Sequence, residues 1–247
     1  MCENMNIEKQ FIMTEVAMIS DIYSFGDELI TEGVLYSVTN KISEFFQKAV
    51  NTMIAFVKTF KADLESTIQK KDCRRKLKYL KKDLADKKES GVKFVEMPDY
   101  KAFIKYYDMY SGKMTKLLGK ISDKKYKTRS SLDTAMNEFE SCLYDMNTAL
   151  EKTLKNRIKV PIKDAIIYVD QNLNGQSIIE KRFLKVVHDL KEIGIKSEKI
   201  FKNINVSEDK EVLQKKTSMI RTIVSKISST VSKWFRKFVM TIVFFFA

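Results

Sequence analysis

The chain has one histidine, His188, followed by Asp189 and, a helical turn later, by Glu192. An imidazole beside carboxylates is the usual equipment for moving protons near neutral pH. No serine, cysteine or second histidine stands at a spacing that completes a nucleophilic relay or a two-histidine metal site, so His188 reads as structural. Glu138 and Glu140 lie among lysines and hydroxyls, as solvated helix charges do. Asn174-Gly175-Gln176-Ser177 lacks the further glycines and the lysine of a phosphate-cradling loop and reads as a turn. No catalysis, cofactor or metal is therefore expected.

The chemistry that the residues do offer is electrostatic. The run Lys70-Lys71-Asp72-Cys73-Arg74-Arg75-Lys76-Leu77-Lys78-Tyr79-Leu80-Lys81-Lys82 is the densest positive stretch. On a helix, its charges spread over a broad face opposite Leu77, Leu80 and Leu84. Lys70, Lys71, Arg74, Arg75, Lys78, Lys81 and Lys82 would neutralise phosphates on such a face without reading bases. The plainer reading is the solvated side of a coiled coil. A charge break favours the former: residues 1–32 carry Lys9 against seven acids, a net of −6, while the whole chain is +13, leaving +19 for the rest. Net charge of that size speaks to polyanionic partners and not to fold.

Long helices must carry these charges. Seven glycines and two prolines are few for 247 residues, and both residue types punctuate turns, so uninterrupted helices are expected. Residues 6–30 carry an approximate helical stripe at Phe11, Ile12, Val16, Ile19, Ile22 and Tyr23. From Ser37, the residues Ile42, Phe46, Ala49, Met53, Phe56 and Phe60 keep alternating spacings of four and three, and Cys73, Leu77, Leu80 and Leu84 continue the pattern. One helix over 37–89 would extend on the order of 80 Å, which predicts coiled-coil pairing or a break near Asp63 to Asp72.

Gly91 to Pro98 is the clearest joint, with Val92 to Val95 as a short strand. A helix from Asp99 would bury Tyr100, Phe103, Ile104, Tyr107, Tyr110, Met114, Leu117 and Ile121. Another, after Ser130-Ser131, would bury Leu132, Met136, Phe139, Leu143, Met146, Leu150 and Leu154, and the two would form an antiparallel hairpin. Pro161 suits the first turn of a further helix. Helices near 177–193, ended by Gly194, and near 208–240 complete an all-α, elongated helical bundle with a long N-terminal coiled-coil-like helix. The segments are an acidic amphipathic leader (1–32), a long basic helix (33–95) and a helical bundle with an apolar C-terminal tail (96–247).

Trp234, Phe235 and Phe238 interleave with Lys233, Arg236 and Lys237, a composition that suits a membrane interface; the competing reading docks this aromatic face on the bundle. The apolar run from Phe238 to Ala247 has ten residues, where a spanning helix needs roughly 20. No secretory signal pattern begins the chain. Cys2, Cys73 and Cys142 are widely spaced, which suggests neither a disulfide scaffold nor a zinc site and points to a reducing compartment.

At Ile30-Thr31-Glu32-Gly33 the chain resembles the processing site of prohead proteins of large contractile-tailed bacteriophages, where a protease cuts after Glu in a Leu/Ile-x-Glu sequence followed by a small residue. The resemblance covers these four residues and the length and character of the leader. It implies Ile30 as the apolar specificity residue, Glu32 as the residue before the cut and Gly33 as the new N-terminus. Ile178-Ile179-Glu180 and Leu190-Lys191-Glu192 continue into Lys181 and Ile193 and so lack the small residue. Gly33 as a plain helix stop is the competing reading.

The expectation is thus a non-enzymatic virion structural or internal head protein, assembled in the host cytoplasm, processed after Glu32 and binding nucleic acid without sequence preference. Other virion proteins are alternative partners. A membrane-associated protein using Trp234, Phe235, Arg236, Lys237 and Phe238, or a self-associating coiled-coil scaffold, are the alternatives.

Overall fold

The computed structural model describes residues 9–10, 12–21, 35–69, 71–122, 128–173, 178–202 and 210–245. In chain order they form α1 (12–21), α2 (Leu35–Gln69), α3 (Lys71–Glu89), β1 (Phe94–Pro98), α4 (Tyr100–Ser122), α5 (Arg129–Lys155), β2 (Arg157–Pro161), α6 (Ile162–Leu173), α7 (Ile178–Lys202) and α8 (Lys210–Phe245). The fold is all-α apart from one two-stranded sheet among the described residues.

α2 buries the stripe that the spacing marks, Ile42, Phe46, Ala49, Met53, Phe56 and Phe60, widened by Phe45, Val50, Val57 and Leu64. This face lies along α7 and touches α8. Its apolar surface is covered within the chain, so the coiled-coil pairing suggested by the same spacing is not seen among the described residues. The stretch read as one helix over 37–89 is helical on both sides of residue 70, which itself lies outside the described residues.

α8 is the central helix and contacts α2, α4, α5, α6 and α7. Ile220, Ile223, Val224, Ile227, Val231, Trp234, Phe235 and Phe238 are its buried apolar side chains. Ser225, Ser228 and Ser232 lie buried among them, and their small size lets neighbouring helices come close. The Ser228 hydroxyl donates back to the Val224 carbonyl at 2.8 Å, so burying it leaves no unmet donor. Phe56, Phe60, Phe183 and Phe235 bring rings from α2, α7 and α8 together, with centroids 5.1 Å apart for both Phe60–Phe235 and Phe183–Phe235. Such pairs add about 1 kcal/mol each to the roughly 1.5–3 kcal/mol gained on burying a large apolar side chain.

The expected hairpin of α4 and α5 is present, and a ladder closes its open end. β1 directly precedes α4, β2 directly follows α5, and they pair antiparallel with Val95 opposite Val160 and Met97 opposite Ile158. Those four residues face inward or half inward, while Glu96 and Lys159 oppose each other outside. β2 escaped the sequence reading, and Pro161 ends it rather than opening a helix. Its five residues lie between two helices and alternate only twice, too few for a period-two signal. α3 ends as expected: Gly91 takes φ +82°, the Val92 N–H reaches the Lys87 carbonyl at 2.9 Å, and the Gly91 N–H reaches that of Lys88 at 3.2 Å, a Schellman cap. Asp99 caps α4 by accepting the Ala102 N–H at 2.9 Å, and Thr128 with Ser131 forms a capping box that starts α5 at Arg129, before the Ser130-Ser131 marker.

Two further expectations need correction. Gly194 does not end a helix, for α7 runs through it to Lys202. It is buried where α7 crosses α2, and a Cβ built on it would stand 2.7 Å from the Phe46 Cβ. The glycine answers a packing need that the local sequence does not display. In α1 the inward residues are Glu15, Met18 and, in part, Ile19, whereas Ile12 and Val16 are exposed. The main core runs from Met18 through α2 to Val239, and a smaller cluster joins Leu80 and Leu84 to Ile162 and Val169.

Candidate nucleic-acid interface

α3 is held by its apolar side. Leu80 and Leu84 pack on Ile162 and Val169 of α6, with Val95 and Ile166 at the margin. α6 is positioned in turn by the ladder, its first N–H bonding to the Lys93 carbonyl at 3.0 Å. With Leu80 and Leu84 inward, the helical period turns Arg75, Tyr79 and Lys82 outward, and all three are exposed, Tyr79 to 74%. Lys81, between the two faces, pairs with Asp170 of α6, so its charge is shared with the bundle. Lys87 pairs with Asp83 one turn back at 2.6 Å. Such exposed pairs stabilise by roughly 0–1 kcal/mol, so a phosphate would compete readily for either ammonium.

Of the seven cations expected to meet phosphate, the structure therefore locates Arg75, Lys81 and Lys82. Lys70 and the side chains of Lys71, Arg74 and Lys78 lie outside what is described. So do Ile30, Glu32 and Gly33 of the cleavage-like tetrapeptide. The exposed phenol of Tyr79, between Arg75 and Lys82 on the solvent side, was visible in the basic run but not singled out.

The C-terminal group is placed differently from a membrane-facing one. Trp234, Phe235 and Phe238 are buried in the core, and Arg236 and Lys237 engage carboxylates. The aromatic face of α8 thus docks on the bundle, and Phe103 meets the Phe238 ring at 4.8 Å and the Trp234 ring at 6.1 Å. The indole N–H of Trp234 donates to Asn147 Oδ1 at 2.8 Å. Lys237 Nζ lies 4.8 Å over the indole and 2.9 Å from Glu151 Oε2. Lys237, through that hydrogen bond above all, holds the Glu151 carboxyl below the usual carboxylate range. No helix among the described residues is long and apolar enough to cross a membrane.

Comparison with protein families, with characterised proteins and with solved structures finds no match. His188 and Glu192 are exposed on α7. Among those residues no group of three or more His, Cys, Asp or Glu side chains is placed to hold a metal ion. Cys142 is buried between α5 and α4, and burial, more than its charged neighbours, raises its thiol pKa, the opposite of what a reactive thiolate needs.

Proposed function

We propose that this chain is a non-enzymatic virion structural or internal head protein of a tailed bacteriophage, which binds nucleic acid without sequence preference through the basic face of α3. The observation that carries the reading is the outward turn of Arg75 and Lys82, opposite the packed Leu80 and Leu84, in a body of net charge +19. The mechanism is counterion release: cations on a rigid helix approach phosphates and free the ions condensed there. Processing after Glu32 would sever a segment of net −6, and the charge presented to the polyanion would rise once that segment also left its ion pair with Arg236.

Binding to a labelled duplex should weaken steeply with salt, and Arg75→Ala with Lys82→Ala should lower the slope of log affinity against log salt by about two. Affinity that does not change between low and physiological salt would sink this mechanism. The mass and N-terminal sequence of the protein from its native source test the processing step separately, Gly33 as first residue supporting it and an intact leader opposing it. Membrane association through Trp234, Phe235 and Phe238 would require these side chains to leave the core, so their placement does not favour that alternative.

A further inference from the structure

A second basic surface lies far along the chain from α3. The C-terminal half of α5 and the α8 segment around Lys233 form an open groove of about 600 Å³. Tyr144, Thr148, Lys152 and Lys155 line one wall, Lys233 the other, and Trp234 forms part of the floor. The wall residues on α5 recur at spacings of four, four and three, so one helix face carries them all.

Three features set this groove apart from an ordinary lysine-rich surface. First, Tyr144 is 72% exposed, so its ring contributes little to the core and is free to stack on a flat partner. Second, the floor is fixed: the Trp234 N–H donates to Asn147 Oδ1 at 2.8 Å, and the Asn147 amide donates to the Leu143 carbonyl at 2.9 Å. Third, the cations outnumber the acids. Glu151 is the carboxylate in the groove lining and bridges Lys237 at 2.9 Å and Lys155 at 3.3 Å, while Lys152 and Lys233 project exposed beside it.

We propose that this groove binds a single-stranded nucleic-acid segment, with Tyr144 stacking on a base and Lys152, Lys155 and Lys233 receiving the phosphates. Aromatic stacking beside a cationic track is how proteins hold single strands without reading sequence. A duplex hides its base faces and offers Tyr144 nothing to stack on, so the groove selects unpaired strands where α3 does not. A lipid surface is less suited, because the indole lies in the floor and leaves no apolar wedge projecting. The inference rests on the nucleic-acid reading above and adds a site and a substrate form to it.

The test measures fluorescence anisotropy of the full chain with a fluorescein-labelled oligothymidylate of about 12 nucleotides and with a duplex of equal length. Tyr144→Ala should weaken single-strand binding by about 5- to 150-fold, Tyr144→Phe should retain it within about twofold, and neither should change duplex binding. The exposed position lets both variants fold, which an unchanged melting curve verifies. An unchanged single-strand affinity in Tyr144→Ala, or an equal loss in Tyr144→Phe, overturns the groove; duplex binding that still depends on Arg75 and Lys82 would leave the α3 reading standing. A wild-type chain that binds neither probe overturns both. Flotation with phosphatidylserine vesicles that Tyr144→Ala abolishes would assign the groove to lipid and overturn the proposal as well.

Discussion

Arg236 Nε donates to Glu15 Oε2 at 2.9 Å, an ion pair with only 13% and 10% of the two side chains exposed, joining α8 to a helix 221 residues earlier in the chain. Beside it, the Ser232 hydroxyl lies 3.5 Å from the Met18 sulfur. The acidic leader is thus no loose tail over residues 12–21 but part of the fold, with this charge pair and the buried Met18 among its ties to the central helix.

Deleting one member of a desolvated pair leaves the other buried without its partner charge, at a cost on the order of 3 kcal/mol. Glu15→Ala should therefore lower the free energy of unfolding by about that amount in urea titration, without changing the slope. A loss under about 0.5 kcal/mol would mean that water screens the pair and that α1 is not held by it.

Gly194→Ala places a methyl where the Phe46 Cβ already stands, 2.7 Å away. Overpacking of this kind costs about 1–3 kcal/mol, against a gain of up to about 1 kcal/mol from helix propensity, so the variant should be less stable. Phe46→Ala keeps that Cβ and removes only the ring carbons at 2.9 and 3.3 Å, so in that background the same change should still lower stability, by a smaller amount. Additive effects of the two substitutions would show that α2 and α7 relax apart at this crossing.

Tyr100 and Tyr107 are buried with hydroxyls that have no hydrogen-bond partner among the described residues. Burial is the main cause that raises the pKa of each above its ordinary value; Arg157 opposes the shift at Tyr100, and Asp108 adds to it at Tyr107. Because the folded pKa lies above the unfolded one, the stabilisation is complete below about pH 10 and falls as the unfolded chain begins to release phenolic protons. Ultraviolet titration should show these two phenols ionising only together with unfolding. Tyr107→Phe removes the unpaired hydroxyl, should leave stability unchanged or raise it by up to about 1 kcal/mol, and should move the alkaline transition upward. Smooth ionisation of every tyrosine in a folded chain would contradict the burial argument.

Much of the architecture could be read from periodicity alone. The stripe from Ile42 to Phe60, the hairpin faces at Phe103 and Phe139, and the α8 series from Ile220 to Phe238 are all interior, because a long helix that repeats apolar residues at three and four must bury that face somewhere. The Ser90-Gly91 stop was legible for a local reason as well, a left-handed residue that glycine fills at least cost. Where periodicity was weak the reading slipped. In α1, Ile12 and Val16 looked like core, yet Glu15 is buried because Arg236 waits for it on a distant helix.

The candidate sites divide in the same way. The sequence by itself determined the charge asymmetry, the density of cations in α3 and the all-helical character, since these follow from residue type and near-neighbour spacing. Only the tertiary structure decided that Trp234 and Phe238 face the bundle, that Gly194 admits Phe46, that Asp170 takes a share of Lys81 and that Tyr144 and Lys233 line one groove. Each of these joins residues from different helices, and helix period sets which residues share a face but not which face of another helix that face will meet.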